Sequence, residues 1–246
     1  MRIAVISDIH GNLPALKAVL NDFETRAIDQ VICLGDLVDF APWSNEVIQL
    51  IRSNRIMTIM GNHDERIAFD LPVIPLSKHS EKETLARNKA INHSKSVVTR
   101  DNKAYLASLQ KSILLQFENY KLYFTHASPE NIDEYLYEND DELLEERLLS
   151  VNADMLFIGH THLPYIKNFG NKQIVNTGSV GRSKESDRKA CYAIITLNPN
   201  SEISVEIVKL DYPIHETASA IYESDIPDFY ADFLVGNEYP KNSPKR

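Results

Sequence analysis

Very little in this chain could staple, anchor or stretch it by special means. There are only two cysteines, Cys33 and Cys191, far apart and each inside an apolar run. A disulfide framework is therefore excluded, and buried, reduced thiols in a cytoplasmic setting are expected. Glycine (8) and proline (11) are too few in 246 residues for a fibrous or linker-rich polymer. No window approaches the roughly 18 apolar residues of a membrane span, and the first apolar run, Ile3 to Ile6, is far shorter than a secretory h-region. Neither export nor membrane insertion is expected. Positive charge is also scarce, with 26 Lys and Arg against 35 Asp and Glu and a net charge of −9. Without a basic run, nucleic acid is a poor partner. What remains is 43% hydrophobic and 25% charged, the balance of one globular domain over residues 1–246.

Short apolar runs alternate with helical patterns along the first third. Ile3 to Ile6 reads as a strand, Leu13, Leu16, Val19, Leu20 and Phe23 as a helix, and Val31 to Leu34 as a second strand. A helix carrying Val47, Ile48, Leu50 and Ile51 and a strand over Ile56 to Met60 continue the alternation of parallel crossover units. After Pro72 and Pro75 the pattern turns polar and helical, and residues 66–110 are expected as an inserted helical cap. Strand signals resume as a hairpin around Asn119 and then at Met155 to Ile158, after the acidic run Glu138 to Arg147, which reads as a solvated helix start. Four more strands, over Tyr165 to Asn168, Gln173 to Val175, Tyr192 to Leu197 and Ile203 to Val208, lean towards antiparallel pairing. Two closing helices and a frayed tail over 237–246 complete the reading.

The informative feature is what stands at the strand ends. Apolar runs lead into Asp8-Ile9-His10, Gly35-Asp36, Gly61-Asn62-His63-Asp64, Thr125-His126 and Gly159-His160-Thr161-His162. In open α/β sheets the ligand crevice lies beyond the carboxyl ends of the strands, so these groups can converge despite their separation in sequence. Singly, each has an ordinary structural explanation as a cap, a turn or a hydrogen-bonded histidine. Jointly such explanations fail, because five of the eight histidines fall in these motifs, with only His79, His93 and His215 outside them. Oxygen and nitrogen donors without thiolate suit Mn²⁺, Zn²⁺, Fe or Ni²⁺. So many donors exceed one tetrahedral ion and fit two ions ~3.5 to 4 Å apart, the arrangement that clamps the attacking and leaving oxygens of a phosphoryl displacement.

In these motifs the sequence resembles the calcineurin-like metallophosphoesterases, whose Asp-x-His, Gly-Asp, Gly-Asn-His-Asp/Glu, His and Gly-His-x-His pattern is present in order. The resemblance implies an α/β fold of four layers, two facing mixed β-sheets flanked by helices. It further implies that Asp8, His10 and His162 hold one divalent cation and Asn62, His126 and His160 a second, with Asp36 between them and Mn²⁺ the leading candidate. A bridging hydroxide would attack phosphorus, and His63 would assist the leaving oxygen. Asp39 would orient His63 or merely cap its loop. The phosphate-gripping arginine that follows this aspartate in protein phosphatases is Phe40 here, and Ala127 stands where glycine commonly follows the histidine.

Around that set, Arg182 is a candidate phosphate contact or a surface residue, and Asp64 is expected to brace its loop. His79 and His93 are expected on a solvated helix face, and Cys33 and Cys191 in the core. The reading is a phosphoric ester hydrolase acting on a small phosphodiester or nucleotide. Phosphomonoesterase, protein phosphatase and dinucleoside tetraphosphate hydrolase remain alternatives within the family. A metal-binding scaffold and a nuclease are alternatives outside that reading, and oligomeric state is open.

Overall fold

The computed structural model describes residues 1–76, 80–198 and 203–236; His79, most of the turn after Asn198 and the expected tail 237–246 lie outside these. The chain begins with β1 (Arg2–Ile6), α1 (Leu13–Arg26), β2 (Gln30–Cys33), α2 (Ser44–Ser53) and β3 (Met57–Thr58). Three helices follow, α3 (Asn62–Ala68), α4 (Glu81–Val97) and α5 (Arg100–Ala107), and then the hairpin β4 (Ser112–Phe117) and β5 (Tyr120–Thr125). The remainder is α6 (Asp141–Ser150), β6 (Met155–Ile158), β7 (Tyr165–Phe169), β8 (Lys172–Asn176), β9 (Ala190–Thr196), β10 (Ser204–Leu210), α7 (Ile214–Tyr222) and α8 (Phe229–Val235).

Two mixed five-stranded sheets result, in the orders β10-β9-β1-β2-β3 and β4-β5-β6-β8-β7. Side chains alternate across a strand, and that period of two divides the core. Ile3, Val5, Ile32, Leu34, Ala193 and Ile195 of the first sheet face Leu122, Phe124, Met155, Phe157 and Val175 of the second. The intervening residues Ala4, Ile6, Cys33 and Ile194 point the other way, onto α1 and α2. On the far side Leu144 and Leu148 of α6 cover Leu156, Ile158 and Ile174. The four-layer α/β arrangement is thus the one expected. Asn12 joins distant parts of it: its Oδ1 accepts from Ala15 N at the start of α1 and from Thr217 Oγ1 of α7, while its Nδ2 donates to Gly181 O.

Three details differ from the sequence reading. The third strand is shorter: β3 lies at a sheet edge, and although Ile59 N still donates to Cys33 O, Met60 N turns to Gln110 O. The second sheet is less antiparallel, since β5–β6 and β6–β8 are parallel pairs. The chain crosses back through α6 before laying down β6, and a crossover of that kind gives parallel neighbours. Finally, within the segment expected as a cap, Ile91, Val98 and Leu106 join the core beside α2, while Ala86 and Ala90 pack with Phe40 and Tyr230 near the strand ends.

Phe157 stacks on Phe124 with ring centroids 4.8 Å apart, both fully buried between the sheets. Phe157→Ala should lower the free energy of unfolding by about 3–5 kcal/mol, read from urea denaturation. A loss below about 1 kcal/mol would mean that the sheets close over the gap.

Candidate metal site

All five strand-end motifs meet at one end of the sandwich. Asp8 and His10 follow β1, Asp36 follows β2, Asn62 and His63 open α3, His126 follows β5, and His160 and His162 follow β6. Donor atoms of Asp8, His10 and His162 lie within 4.8 Å of one another, as do those of Asp36, His126 and His160. Asp36 Oδ2 stands between the groups, 3.7 Å from His10 Nε2 and 3.4 Å from His126 Nε2. Asn62 Oδ1 is 3.0 Å from His126 Nε2. The seven expected ligands are therefore together, and every one is buried.

The backbone is bent to bring them there. Asp8, His10, Asp36, Asp39, Phe40, His160 and His162 all have positive φ, between +51° and +75°, a region that side chains other than glycine rarely occupy. Such conformations persist only where surrounding contacts impose them. Close approach does the rest: a Cβ on Gly61 would fall on Asp36 Oδ1, and one on Gly159 would lie 2.5 Å from Asp8 Oδ2. Asp64 braces the Asp36 loop as expected, its carboxylate accepting from the backbone N–H groups of Asp36, Leu37 and Gly61 at 2.7, 2.9 and 3.0 Å.

Hydrogen bonding fixes which nitrogen of each ring faces inward. His10 Nδ1 lies 3.0 Å from Val38 O, His126 Nδ1 2.9 Å from Leu34 O, and His162 Nδ1 2.8 Å from Arg182 O. A carbonyl can only accept, so each Nδ1 carries the proton and a neutral ring presents a lone pair at Nε2. His10 Nε2 and His162 Nε2 then face each other at 3.1 Å. Burial pushes His10 well below its ordinary pKa and His162 down to about 4, so neither ring takes up a proton to relieve the opposition. His160 Nε2 and Asp8 Oδ1 are buried without any hydrogen-bond partner. These opposed and orphaned donors fit a cation held among them.

His126 behaves differently. Burial would lower its pKa, but the charge of Asp36, its hydrogen bond and the charge of Asp8 outweigh this and raise it to about 10. In the cation-free protein this ring is a local counter-charge, stabilising below its ordinary 6.5 and lost as pH rises through about 10.

Beside the two groups, His63 Nδ1 and Asp39 Oδ2 lie 2.5 Å apart, and the His63 ring stands edge-on to that of His10 with centroids 5.2 Å apart. Asp39 accordingly contacts His63 directly. Arg182 is packed inward, not spread on the surface: its guanidinium lies 4.7 Å from the Phe40 ring centroid, 4.6 Å from Phe233 and 5.3 Å from Tyr230, with Nε unpartnered. Cys33 and Cys191 are buried, as expected of core thiols. His93, on α4, falls outside this constellation.

Two residues between β5 and α6 were not among those singled out in the sequence. Asp133 accepts from Asn62 Nδ2 at 2.8 Å, and Tyr135 lies against the His160 ring with centroids 4.2 Å apart. Both sit in the irregular segment between β5 and α6, which carries neither periodicity nor a motif.

Comparison with known proteins identifies the family. Residues 1–200 match the family model described as the calcineurin-like phosphoesterase superfamily domain. The chain belongs to that superfamily. It is 32% identical over 250 residues to an uncharacterized protein of Methanocaldococcus jannaschii, covering 94% of this chain and 96% of that one. It is 25% identical over 202 residues to phosphodiesterase YfcE of Escherichia coli, covering 75% and 82%. Among solved structures, a metallophosphoesterase from Sphaerobacter thermophilus superposes with a TM-score of 0.76 at 26% identity, covering 96% and 98%. A hypothetical protein of Pyrococcus horikoshii shares the fold, with a TM-score of 0.82 at 20% identity over 95% of this chain and 97% of that one. As a calcineurin-like metallophosphoesterase the protein is a hydrolase of a metal-dependent family, with two candidate metal-binding groups in its strand-end site. No helix among its described residues is long and apolar enough to cross a membrane.

Two outcomes follow from the ligand geometry. Asp36→Asn should abolish stoichiometric Mn²⁺ uptake at both groups, measured by calorimetry or by metal analysis after gel filtration; retention of full stoichiometry would show that Asp36 is not shared. Titrating the cation-free protein with Mn²⁺ at pH 8 in weak buffer should release about one proton, since the cation displaces the proton on His126 Nε2. Uptake should weaken as pH falls, and a titration that releases no proton would place His126 outside the ligand set.

Proposed function

We propose that the protein hydrolyses phosphoric esters at a dinuclear centre, one cation held by Asp8, His10 and His162, the other by Asn62, His126 and His160, with Asp36 shared. The observation that carries the reading is the pair of buried donor groups converging on Asp36 Oδ2, with the His63–Asp39 pair beside them. When bound, two divalent cations, Mn²⁺ the first candidate, supply Lewis-acid polarisation of the ester and bring water towards ionisation near neutrality. No nucleophilic serine or cysteine is then required.

The chain's own groups do the rest. Asp39 holds His63 with Nδ1 protonated, which leaves Nε2 to carry and release a proton as the leaving oxygen departs. Arg182, held on the faces of Phe40, Tyr230 and Phe233 with its buried Nε unpartnered, is the candidate phosphate contact, since a guanidinium matches phosphate oxygens bidentately. The first half of α4, packed against Phe40 and Tyr230, narrows the approach. A restricted cleft of this kind suits a small phosphodiester or nucleotide better than a long polymer, and the net charge of −9 disfavours nucleic acid.

The test is turnover of bis-p-nitrophenyl phosphate and p-nitrophenyl phosphate with added Mn²⁺. No hydrolysis of either by protein shown to hold cation would favour a binding role. His63→Ala should keep its cations and lose about 10²- to 10⁴-fold in kcat. Full activity in that variant would remove His63 from the chemistry.

A further inference from the structure

Two buried guanidiniums beside the site have no part in the scheme above. Arg66 follows Asn62 by four residues on α3, which puts both side chains on one face of that helix. Arg66 is 7% exposed and its Nη1 is buried with no hydrogen-bond partner. Its Nη2 is 3.6 Å from Asp133 Oδ1, the same oxygen that accepts from Asn62 Nδ2. Arg87, on α4, is 8% exposed; its Nη1 donates to Ile74 O at 2.8 Å, and it forms no ion pair with the described residues. Burial and then the charge of Arg66 lower the Arg87 pKa, so the two cations feel each other, with Tyr135, Tyr230 and Asp39 of the cleft in the same field.

Buried charges of one sign on neighbouring helices are destabilising unless a counter-charge is supplied. Asp133 is a weak one, since its side chain is 58% exposed and its oxygen is shared with Asn62. Asp8 and Asp36 are turned towards the histidines. Among the described residues Asp133 is the one carboxylate within ion-pair distance of either guanidinium, so a bound anion can supply the charge that is lacking.

Resting on the hydrolase reading, we infer that Arg66, backed by Arg87, forms an anion subsite for a second negative charge carried by the substrate next to the reacting phosphoryl charge. That charge has two sources of the same chemistry: the extra oxygen of a phosphomonoester dianion, or the neighbouring phosphate of an anhydride chain. A simple diester offers neither, because its second ester oxygen is uncharged. The arrangement also replaces what position 40 lacks. Phe40 stacks on Tyr230 with centroids 4.6 Å apart, and the guanidiniums arrive from α3 and α4.

The experiment uses the Mn²⁺-loaded protein with p-nitrophenyl phosphate, a nucleoside diphosphate and bis-p-nitrophenyl phosphate, and measures inorganic phosphate binding by calorimetry. Arg66→Gln should lower kcat/KM for a doubly charged substrate, relative to the diester, by about tenfold or more through KM, and weaken phosphate binding comparably. Loss confined to the nucleoside diphosphate assigns the charge to the neighbouring phosphate; loss for both assigns it to the reacting phosphoryl. Asp133→Asn keeps an oxygen for Asn62 while removing the competing charge, and should shift both readouts the opposite way. If Arg66 merely steadied Asp133 on Asn62, the two variants would act alike, and the subsite would be overturned. An equal loss on all three substrates with unchanged phosphate affinity would overturn it too. Failure of the unaltered protein to hydrolyse any ester would instead defeat the hydrolase reading, and the phosphate calorimetry would still decide the subsite.

Discussion

Two imidazole lone pairs pointed at each other across 3.1 Å, with no proton to separate them, form an arrangement that a folded protein does not keep for stability's sake. Each ring is locked by a backbone carbonyl behind it, so neither can turn away. Turning would leave a carbonyl unsatisfied in a buried setting, at a cost of about 1–3 kcal/mol. The inward lone pairs are thus a consequence of the loops, and the loops are a consequence of positive-φ residues placed directly after strands. Strain, orphaned donors and chemistry coincide at one end of the sandwich, as expected where local consistency has been given up for function.

That end of the sandwich also explains why the ligands come from so many parts of the chain. A strand delivers one or two side chains beyond its last ladder bond, and no single loop could present seven buried donors without burying its own polar backbone. Several strand ends side by side share the load. The glycines at 61 and 159 let adjacent ends approach closely, and Asp64 ties the Asp36 and Gly61 loops together through three N–H groups.

Much of this was legible beforehand because the informative residues sit at boundaries that hydrophobic patterning locates well. Val5-Ile6-Ser7 before Asp8, or Phe157-Ile158 before Gly159, marks a strand end whatever the strand pairs with. Pairing itself was not legible. β1 takes β9 as its antiparallel neighbour across most of the chain length, and alternation tells which face of a strand is apolar but not which strand lies beside it. Asp133 and Tyr135 were invisible for a related reason: they reach Asn62 and His160 through an irregular segment, where position in space owes nothing to spacing in sequence. Arg66 was the missed opportunity, since its interval from Asn62 is one helical turn. Arg182 stands out in the sequence as a cation after a turn, but the three rings that hold it come from distant segments and leave no local signal.

Each donor group draws on both sheets: Asp8 and His10 come from the first and His162 from the second, while Asp36 comes from the first and His126 and His160 from the second. A ligand gripped in this way exists only while the two halves keep their mutual alignment, and it adds to their cohesion by mass action. A cation held there would also be a rivet through the seam of the sandwich. Scarcity of such an ion would withdraw its binding free energy from that seam, so metal supply would bear on the protein's endurance as well as on its turnover.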